Sequence, residues 1–232
     1  MNTNAMEVNN VSVRYKSRRS FFRHEYFTAL DDVSFTVKKG ETLGVIGANG
    51  CGKSTLLKVL ANIYGVDGGS VTWHCQQVSL LALALGFDSE LSGRDNAIIS
   101  GMLLGGRKKE VLDRLDEIIA FAELEKSIDK PLKTYSNGMR ARLGFSVAVK
   151  MQSEMLLIDE VMGVGDAKFK KKAEAAMVNK IASKQTVVLV SHAMPQIQRL
   201  CDRVLWLDVG KVKMIGAPRA VLQQYAKFVS EE

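Results

Sequence analysis

The stretch Gly47-Ala48-Asn49-Gly50-Cys51-Gly52-Lys53-Ser54-Thr55 decides the fold class of this chain. It fits the pattern G-x-x-x-x-G-K-[S/T], in which backbone N–H groups of a glycine-rich loop surround phosphate oxygens. A short apolar run precedes it, and residues 53–62 follow it with apolar side chains at helical spacing. The order strand, loop, helix therefore predicts a phosphate-binding loop, with the positive end of the helix directed at the anion. In such a loop Lys53 reaches the β- and γ-phosphates and Ser54 ligates Mg²⁺.

Length, composition and charge exclude several classes of protein. The 232 residues are 47% hydrophobic and 25% charged, which is typical of a soluble globular protein and excludes wholesale disorder and fibrous repeats. The longest nearly continuous apolar run, residues 80–87, is far shorter than the roughly 20 residues that a membrane-spanning helix needs. The three cysteines form no CxxC pair, which favours reduced thiols, and the net charge of +7 favours an anionic neighbour.

Apolar periodicity predicts an α/β fold with one inserted helical region. Strands are expected at 8–15, 33–37, 42–46, 71–73, 78–83, 155–158, 186–190, 204–208 and 211–215, with the basic stretch 16–23 as a loop. Helices are expected at 53–62, 95–104, 108–122, 138–151, 169–182 and 219–228. Short apolar strands such as 186–190 fit a parallel sheet that is buried on both faces. We expect one domain over 1–232, whose core, about 1–85 and 153–232, is interrupted by a helical subdomain at about 86–152.

Two carboxylates follow the predicted strand at 155–158. Asp159 suits Mg²⁺, and Glu160 suits a general base that polarises the attacking water. His192 follows the strand at 186–190, at the edge where open α/β sheets place ligands, and is expected to hydrogen-bond the γ-phosphate or that water. A GTPase is disfavoured because the Asn-Lys pair at 179–180 lacks the Asp of a base-reading motif. A small-molecule kinase fits the Asp-Glu pair and the downstream His less well.

The sequence resembles the ATP-binding cassette family over essentially its whole length. Tyr135-Ser136-Asn137-Gly138-Met139 stands where that family has the signature Leu-Ser-Gly-Gly-Gln, at the start of a helix and before the Asp-Glu strand. Asp166 matches the aspartate of the family's D-loop, His192 its switch histidine, and Tyr15 the aromatic residue that stacks on adenine. The resemblance implies a P-loop NTPase (RecA-like) core with a mainly parallel sheet, an antiparallel β subdomain and the inserted α-helical subdomain.

The resemblance also implies the site residues. Catalysis is expected from Glu160, His192 and Lys53, and Mg²⁺ binding from Ser54 and Asp159. The residues expected to bind ATP are Tyr15, Gly47, Asn49, Gly50, Cys51, Gly52, Lys53, Ser54, Thr55, Ser136, Asn137, Gly138 and Asp166. In this family the signature binds the γ-phosphate of ATP held by the other protomer, so both sites are shared between the subunits of a homodimer. The backbone N–H groups that follow Ser136 suit this role because they lie at a helix N-terminus.

Further segments, 91–96, 159–169 and 190–204, narrow the resemblance to the ATPases of bacterial polysaccharide exporters, which handle O-antigen, capsule or teichoic acid. This implies an ATPase at the cytoplasmic face of the inner membrane, where it binds a separate polytopic permease. Closure of the dimer on ATP is expected to push the loop at about 84–96 against that permease. No contact with nucleic acid is expected, and none directly with the polysaccharide. The basic stretch 16–23 is expected to touch anionic headgroups or the permease.

The chain departs from the family pattern in several places. Residues 83–86 lack the usual glutamine, the signature has Asn137 and Met139, and the D-loop begins Gly163-Val164-Gly165. With the last predicted helix ending near 228, no C-terminal carbohydrate-binding domain is expected. Two other functions stay open. One is a soluble cassette ATPase acting on nucleic acid or another non-transport partner, which the pI of 9.3 allows. The other is a non-enzymatic nucleotide-binding regulator, which the intact candidate catalytic residues disfavour.

Overall fold

Strands and helices alternate along most of the chain in the computed structural model, which describes residues 3–20, 23–81, 84–159, 166–183 and 185–231. The strands are β1 (Asn4–Ser20), β2 (Arg23–Lys38), β3 (Thr42–Ile46), β4 (Gly68–Trp73), β5 (Val78–Leu80), β6 (Met155–Asp159), β7 (Thr186–Val190), β8 (Arg203–Asp208) and β9 (Lys211–Gly216). The helices are α1 (Lys53–Leu60), α2 (Gly93–Leu103), α3 (Lys108–Asp113), α4 (Leu115–Ala122), α5 (Asn137–Lys150), α6 (Ala167–Ala182), α7 (Met194–Leu200) and α8 (Pro218–Glu231), with a 3-10 helix at Leu132–Thr134.

The described residues form two compact units. The first lies within 1–76, 155–160 and 184–232, and the second within 77–154 and 161–183. The predicted helical subdomain at about 86–152 falls inside the second unit, which also contains β5 and α6. Among the described helices, none is long and apolar enough to cross a membrane.

A mainly parallel sheet forms the centre of the first unit. Its strands follow the order β6-β7-β3-β8-β9, in which the first four are parallel and β9 is antiparallel to β8. Every residue of β3 and β7 is buried. Strands covered on both faces read as continuous apolar runs, which is why both were recognisable from the sequence. Together with the antiparallel sheet β2-β1-β4, this architecture confirms the predicted fold class.

The long hairpin of β1 and β2 differs from the prediction. The basic stretch 16–23 was expected to be a loop, but backbone pairing continues from Lys16 opposite Tyr26 to Ser20 opposite Arg23. Strand β4 pairs with β1 only between Met6 and Ser12 in the described chain. Beyond that point the hairpin is a two-stranded ribbon, and such a ribbon needs no apolar alternation because neither face must be buried against another layer.

Helices pack together in the second unit. The rings of Phe121, Phe145 and Phe169 meet with centroids 5.8–6.3 Å apart and join α4, α5 and α6. The single helix predicted at 108–122 is wrong, because α3 and α4 are separate helices that meet at Arg114. The amide of Arg114 bonds to the Val111 carbonyl three residues back, so the break is one tighter turn. The apolar spacing continues through that turn, which hid it from the sequence.

Candidate functional site

Two glycines of the 47–55 loop are required by its shape. A Cβ at Gly47 would lie 2.1 Å from the carbonyl oxygen of Leu207, and one at Gly52 would lie 2.4 Å from that of Ala29. Both residues also have positive φ, +151° and +111°. No side chain fits at either position, so the backbone of this loop can approach a ligand and its neighbours more closely than an ordinary turn.

Lys53 lies at the first position of α1 and is 92% buried, since only 8% of its surface is exposed. Its ammonium group donates hydrogen bonds to the carbonyl oxygens of Gly47 (2.9 Å) and Ala48 (2.8 Å). Burial of an ammonium group is costly, and these two carbonyls stabilise it. The loop thus holds a positive charge beside its own backbone, next to the N-terminal end of α1, where helix N–H groups favour an anion.

A cavity of about 330 Å³ opens in the first unit beside this loop. Eight of the residues predicted for nucleotide, metal or catalysis line it: Asn49, Gly50, Gly52, Lys53, Ser54, Thr55, Asp159 and His192. Phe27 and Ala29 complete the lining. The volume is at the lower end of that of small-molecule sites, which run from about 300 to 1,000 Å³. The Ser54 hydroxyl and the Asp159 carboxylate are hard oxygen ligands of the kind that Mg²⁺ takes when it is also bound to phosphate.

Sheet register explains why distant residues meet at this cavity. Asp159 pairs with Val190 and Val190 with Val45, so β6, β7 and β3 end at the same level. The loop after β3, Asp159 at the end of β6 and His192 beyond β7 therefore share one edge of the sheet. Open α/β sheets bind ligands at this carboxyl edge. Asp159 is half-buried, and His192 is exposed.

Two aromatic residues lie at the mouth of the site. The Tyr15 hydroxyl hydrogen-bonds the Thr55 hydroxyl at 3.1 Å, and its ring meets that of Tyr64 edge-on with centroids 6.0 Å apart. Phe27, opposite Tyr15 in the β1–β2 ladder, lines the cavity and is 57% exposed. Sequence reasoning missed Phe27. The alternation of Phe27 with Ala29 was a signal, but the register that sets Phe27 beside Tyr15 depends on irregularities in the ladder.

Cys51 takes part in the loop through its backbone. Its side chain is 6% exposed and lies against Gly47, where an added Cβ would be 2.6 Å from the sulfur. Burial raises the pKa of the thiol, and the charge of Lys53 opposes that rise. Its carbonyl accepts a hydrogen bond from the Gly210 amide at 2.9 Å. Cys51 is therefore a packing residue of the loop, and its sulfur is absent from the described cavity lining.

The signature-like segment belongs to the second unit. Ser136 precedes α5, and its hydroxyl accepts a hydrogen bond from the Met139 amide at 3.2 Å. Ser136 and Asn137 are exposed, and a Cβ added at Gly138 would come no closer than 3.8 Å to the described atoms. Tyr135 anchors the segment, because it is 4% exposed and donates a 2.6 Å hydrogen bond to the Ser127 carbonyl. The N-terminus of α5 thus faces outward from a fixed base.

Asp166 and Glu160 are the other two residues that the sequence predicted for the site. Asp166 caps α6, since its carboxylate accepts a hydrogen bond from the Phe169 amide at 2.9 Å. Glu160, the predicted general base, lies outside the described residues. Residues 161–165, which include the D-loop glycines, and Leu83 of the segment that lacks glutamine also lie outside them.

Comparison with known proteins identifies the family. Residues 30–163 match the sequence profile of the ABC transporter family. The chain belongs to that family. The cassette is 42% identical to the O-antigen export system ATP-binding protein RfbB of Klebsiella pneumoniae over 88% of its own length and 83% of that protein. It is 43% identical to RfbB of Myxococcus xanthus and 42% identical to the teichoic acids export ATP-binding protein TagH of Lactococcus lactis, each over 88% of the cassette.

The cassette spans less than half of the last two relatives, 46% of the Myxococcus protein and 43% of the Lactococcus protein. Solved structures share its fold. The ATP-binding cassette MJ0796, in a dimeric post-hydrolysis state bound to ADP and Pi, has a TM-score of 0.74 at 20% identity, over 92% of this chain and 99% of that one. An ATP-binding subunit of an ABC transporter has a TM-score of 0.76 at 22% identity, over 96% and 93%. The expected family and fold are thereby confirmed.

Proposed function

We propose that this cassette is the ATP-hydrolysing subunit of an ABC transporter that exports a lipid-linked polysaccharide across the bacterial inner membrane. The relatives at 42–43% identity include O-antigen and teichoic acid export ATP-binding proteins, and this similarity supports the substrate class. The observation that carries the ATPase assignment is the cavity in which Lys53, Ser54, Asp159 and His192 meet at one sheet edge.

Each residue has a chemical task in this proposal. Lys53 exchanges its bonds to the loop carbonyls for the β- and γ-phosphate oxygens, which are stronger acceptors because they are charged. Ser54 and Asp159 hold Mg²⁺, which when bound withdraws charge from the same oxygens. Glu160, next in sequence after Asp159, takes the proton of the attacking water, and His192 donates a hydrogen bond to the γ-phosphate. The γ-phosphoryl group passes to that water, and ADP leaves.

The cassette acts as a homodimer in this proposal. The outward-facing N-terminus of α5 offers the amides around Gly138 and the Ser136 hydroxyl as an anion site. A second copy that binds ATP in its own loop would present the γ-phosphate to that end. Hydrolysis removes the shared phosphate and releases the two copies, so the dimer opens and closes with each cycle.

A separate transmembrane permease carries the polysaccharide, and the cassette binds it from the cytoplasmic side. The loop at about 84–96, which is expected to meet this partner, has two large exposed apolar side chains, Leu85 and Leu91. Exposed apolar side chains in this loop are consistent with a protein contact there. Leu91→Asp should therefore lower the amount of permease that co-purifies with the cassette from membranes, whereas Val229→Asp, at an even more exposed position of α8, should not.

The ATPase assignment is tested by turnover of purified protein with ATP and Mg²⁺. Lys53→Met should lower ATP hydrolysis at least a hundredfold, because one charged hydrogen-bonding group of a transition state contributes about 3–4 kcal/mol. Lys58→Met is the matched control, since Lys58 lies on the same helix outside the described cavity lining. Equal activity of the two variants, or hydrolysis by Lys53→Met at the wild-type rate, would contradict the assignment.

A further inference from the structure

The ribbon formed by residues 14–20 of β1 and 23–28 of β2 has two different faces. Pairing runs without irregularity from Arg14 opposite Thr28 to Arg18 opposite His24. Side chains alternate between the faces of a strand, so directly paired residues share a face. Tyr15 and Phe27 share the face that meets the nucleotide cavity, as the Tyr15–Thr55 hydrogen bond and the position of Phe27 in its lining demonstrate.

The opposite face of the ribbon is formed by the positions that alternate with Tyr15 on β1 and with Phe27 on β2. It carries the three cations at 14, 16 and 18 of β1, and the paired positions 28, 26 and 24 of β2. None of the residues at these six positions is acidic, and the backbone of Glu25 pairs with that of Ser17, which is not one of them. We call positions 14, 16, 18, 24, 26 and 28 the basic face.

The basic face is open to solvent where its side chains are described. Arg14 and Lys16 are exposed, and Tyr26 is 64% exposed. Neither Arg14 nor Lys16 forms an ion pair with any side chain that the structure describes, which leaves out those of 17–25, and the Arg14 backbone amide bonds to the Asp67 carboxylate at 2.6 Å. The side-chain charges of Arg14 and Lys16 are therefore available to an external anion.

We propose that the basic face binds the anionic headgroups of a phospholipid bilayer. Alternate positions on one strand recur about every 7 Å, so positions 14, 16 and 18 span about 14 Å. A bilayer surface presents several phosphates within such a span. Tyr26 beside the cations supports the choice, because tyrosine is enriched at the level of the headgroups, where its ring is apolar and its hydroxyl is hydrated. This contact does not involve the permease and does not require ATP, so it goes beyond the proposed transport function.

Co-sedimentation with vesicles tests this proposal. Wild-type protein should bind vesicles of phosphatidylglycerol and phosphatidylcholine far better than vesicles of phosphatidylcholine alone. The triple variant Arg14→Gln, Lys16→Gln, Arg18→Gln should lose roughly fivefold in affinity per cation, or roughly a hundredfold in total. Tyr26→Ser should lose a further few-fold, and this loss should persist at high salt, where charge is screened.

A variant with the same change of net charge provides the control. Lys168, Lys170 and Lys171 are exposed on α6, and replacing them with Gln should lower vesicle binding less than threefold. The urea midpoints of both triple variants should match the wild type, which separates lost binding from lost folding. Equal loss in both triple variants would overturn the proposal, as would equal binding of the wild type to both vesicle types. Stronger binding to duplex DNA than to anionic vesicles at equal phosphate would also overturn it, because the face would then be a nucleic-acid surface.

Discussion

Gly52 offers the sharpest test of how the phosphate-binding loop is built. In Gly52→Ala the new Cβ would lie 2.4 Å from the Ala29 carbonyl oxygen, at a φ of +111°. The backbone conformation costs about 1–2 kcal/mol for a residue with a side chain, and forcing the close contact apart costs about 1–3 kcal/mol. We therefore expect the free energy of unfolding to fall by about 2–5 kcal/mol, a large part of the 5–15 kcal/mol typical of a folded protein.

Gly50→Ala is the matched control, because Gly50 also has a positive φ, +77°. An added Cβ at this position has no described atom within 4 Å. Gly50→Ala should lower the free energy of unfolding by only about 1 kcal/mol, because it changes the backbone conformational energy and causes no steric clash. Urea unfolding followed by tryptophan fluorescence measures both, since Trp73 and Trp206 lie in the first unit with the loop. Equal midpoints for the two variants would refute the steric argument.

Three further predictions concern other buried groups. Burial and the charges of Arg114 and Lys150 lower the pKa of Lys180 to about 8, whereas the unfolded chain keeps that proton to about 10.4. The unfolding free energy of the wild type minus that of Lys180→Met should therefore rise between pH 8 and 10. Urea titrations in which this difference stays constant over that pH range would contradict the prediction. Tyr135→Phe should cost about 0.5–1.5 kcal/mol in urea unfolding because it removes one hydrogen bond to the Ser127 carbonyl, which still accepts a bond from the Lys130 amide, while Tyr26→Phe should cost under about 0.5 kcal/mol. Mass spectrometry should detect alkylation of half-exposed Cys75 well before that of Cys51, whose thiol is buried and has a raised pKa, and the reverse order would show that the loop opens.

The phosphate-binding loop was predictable because its information is local. Glycines at fixed spacing, an apolar strand before them and Lys53 after them specify both the backbone path and the charge. The buried strands β3 and β7 were predictable for a similar reason, since a strand covered on both faces is apolar throughout. Asp159 and His192 followed from their places at the ends of such strands.

The features that could not be predicted from the sequence depend mainly on pairing between distant segments. Phe27 lines the cavity because the β1–β2 register, with several irregularities, sets it opposite Tyr15, and no local pattern encodes that register. The ribbon was hidden because its polar sequence resembles that of a loop, although the backbone hydrogen bonds of a strand do not depend on apolar side chains. The burial of the Cys51 thiol could not be predicted either, since it depends on how the side chain packs against Gly47 of the same turn.

The central claim is that ATP is bound jointly by the loop of one copy and the Ser136 end of α5 in another. Sedimentation of Glu160→Gln with ATP and Mg²⁺ tests it, because this variant should bind ATP without hydrolysing it and form dimers. Adding Ser136→Arg should leave ATP binding intact but keep the protein monomeric, whereas adding Ser230→Arg, at an exposed serine of α8, should leave the dimer unchanged. Dimers that form equally well with Ser136→Arg would contradict the claim.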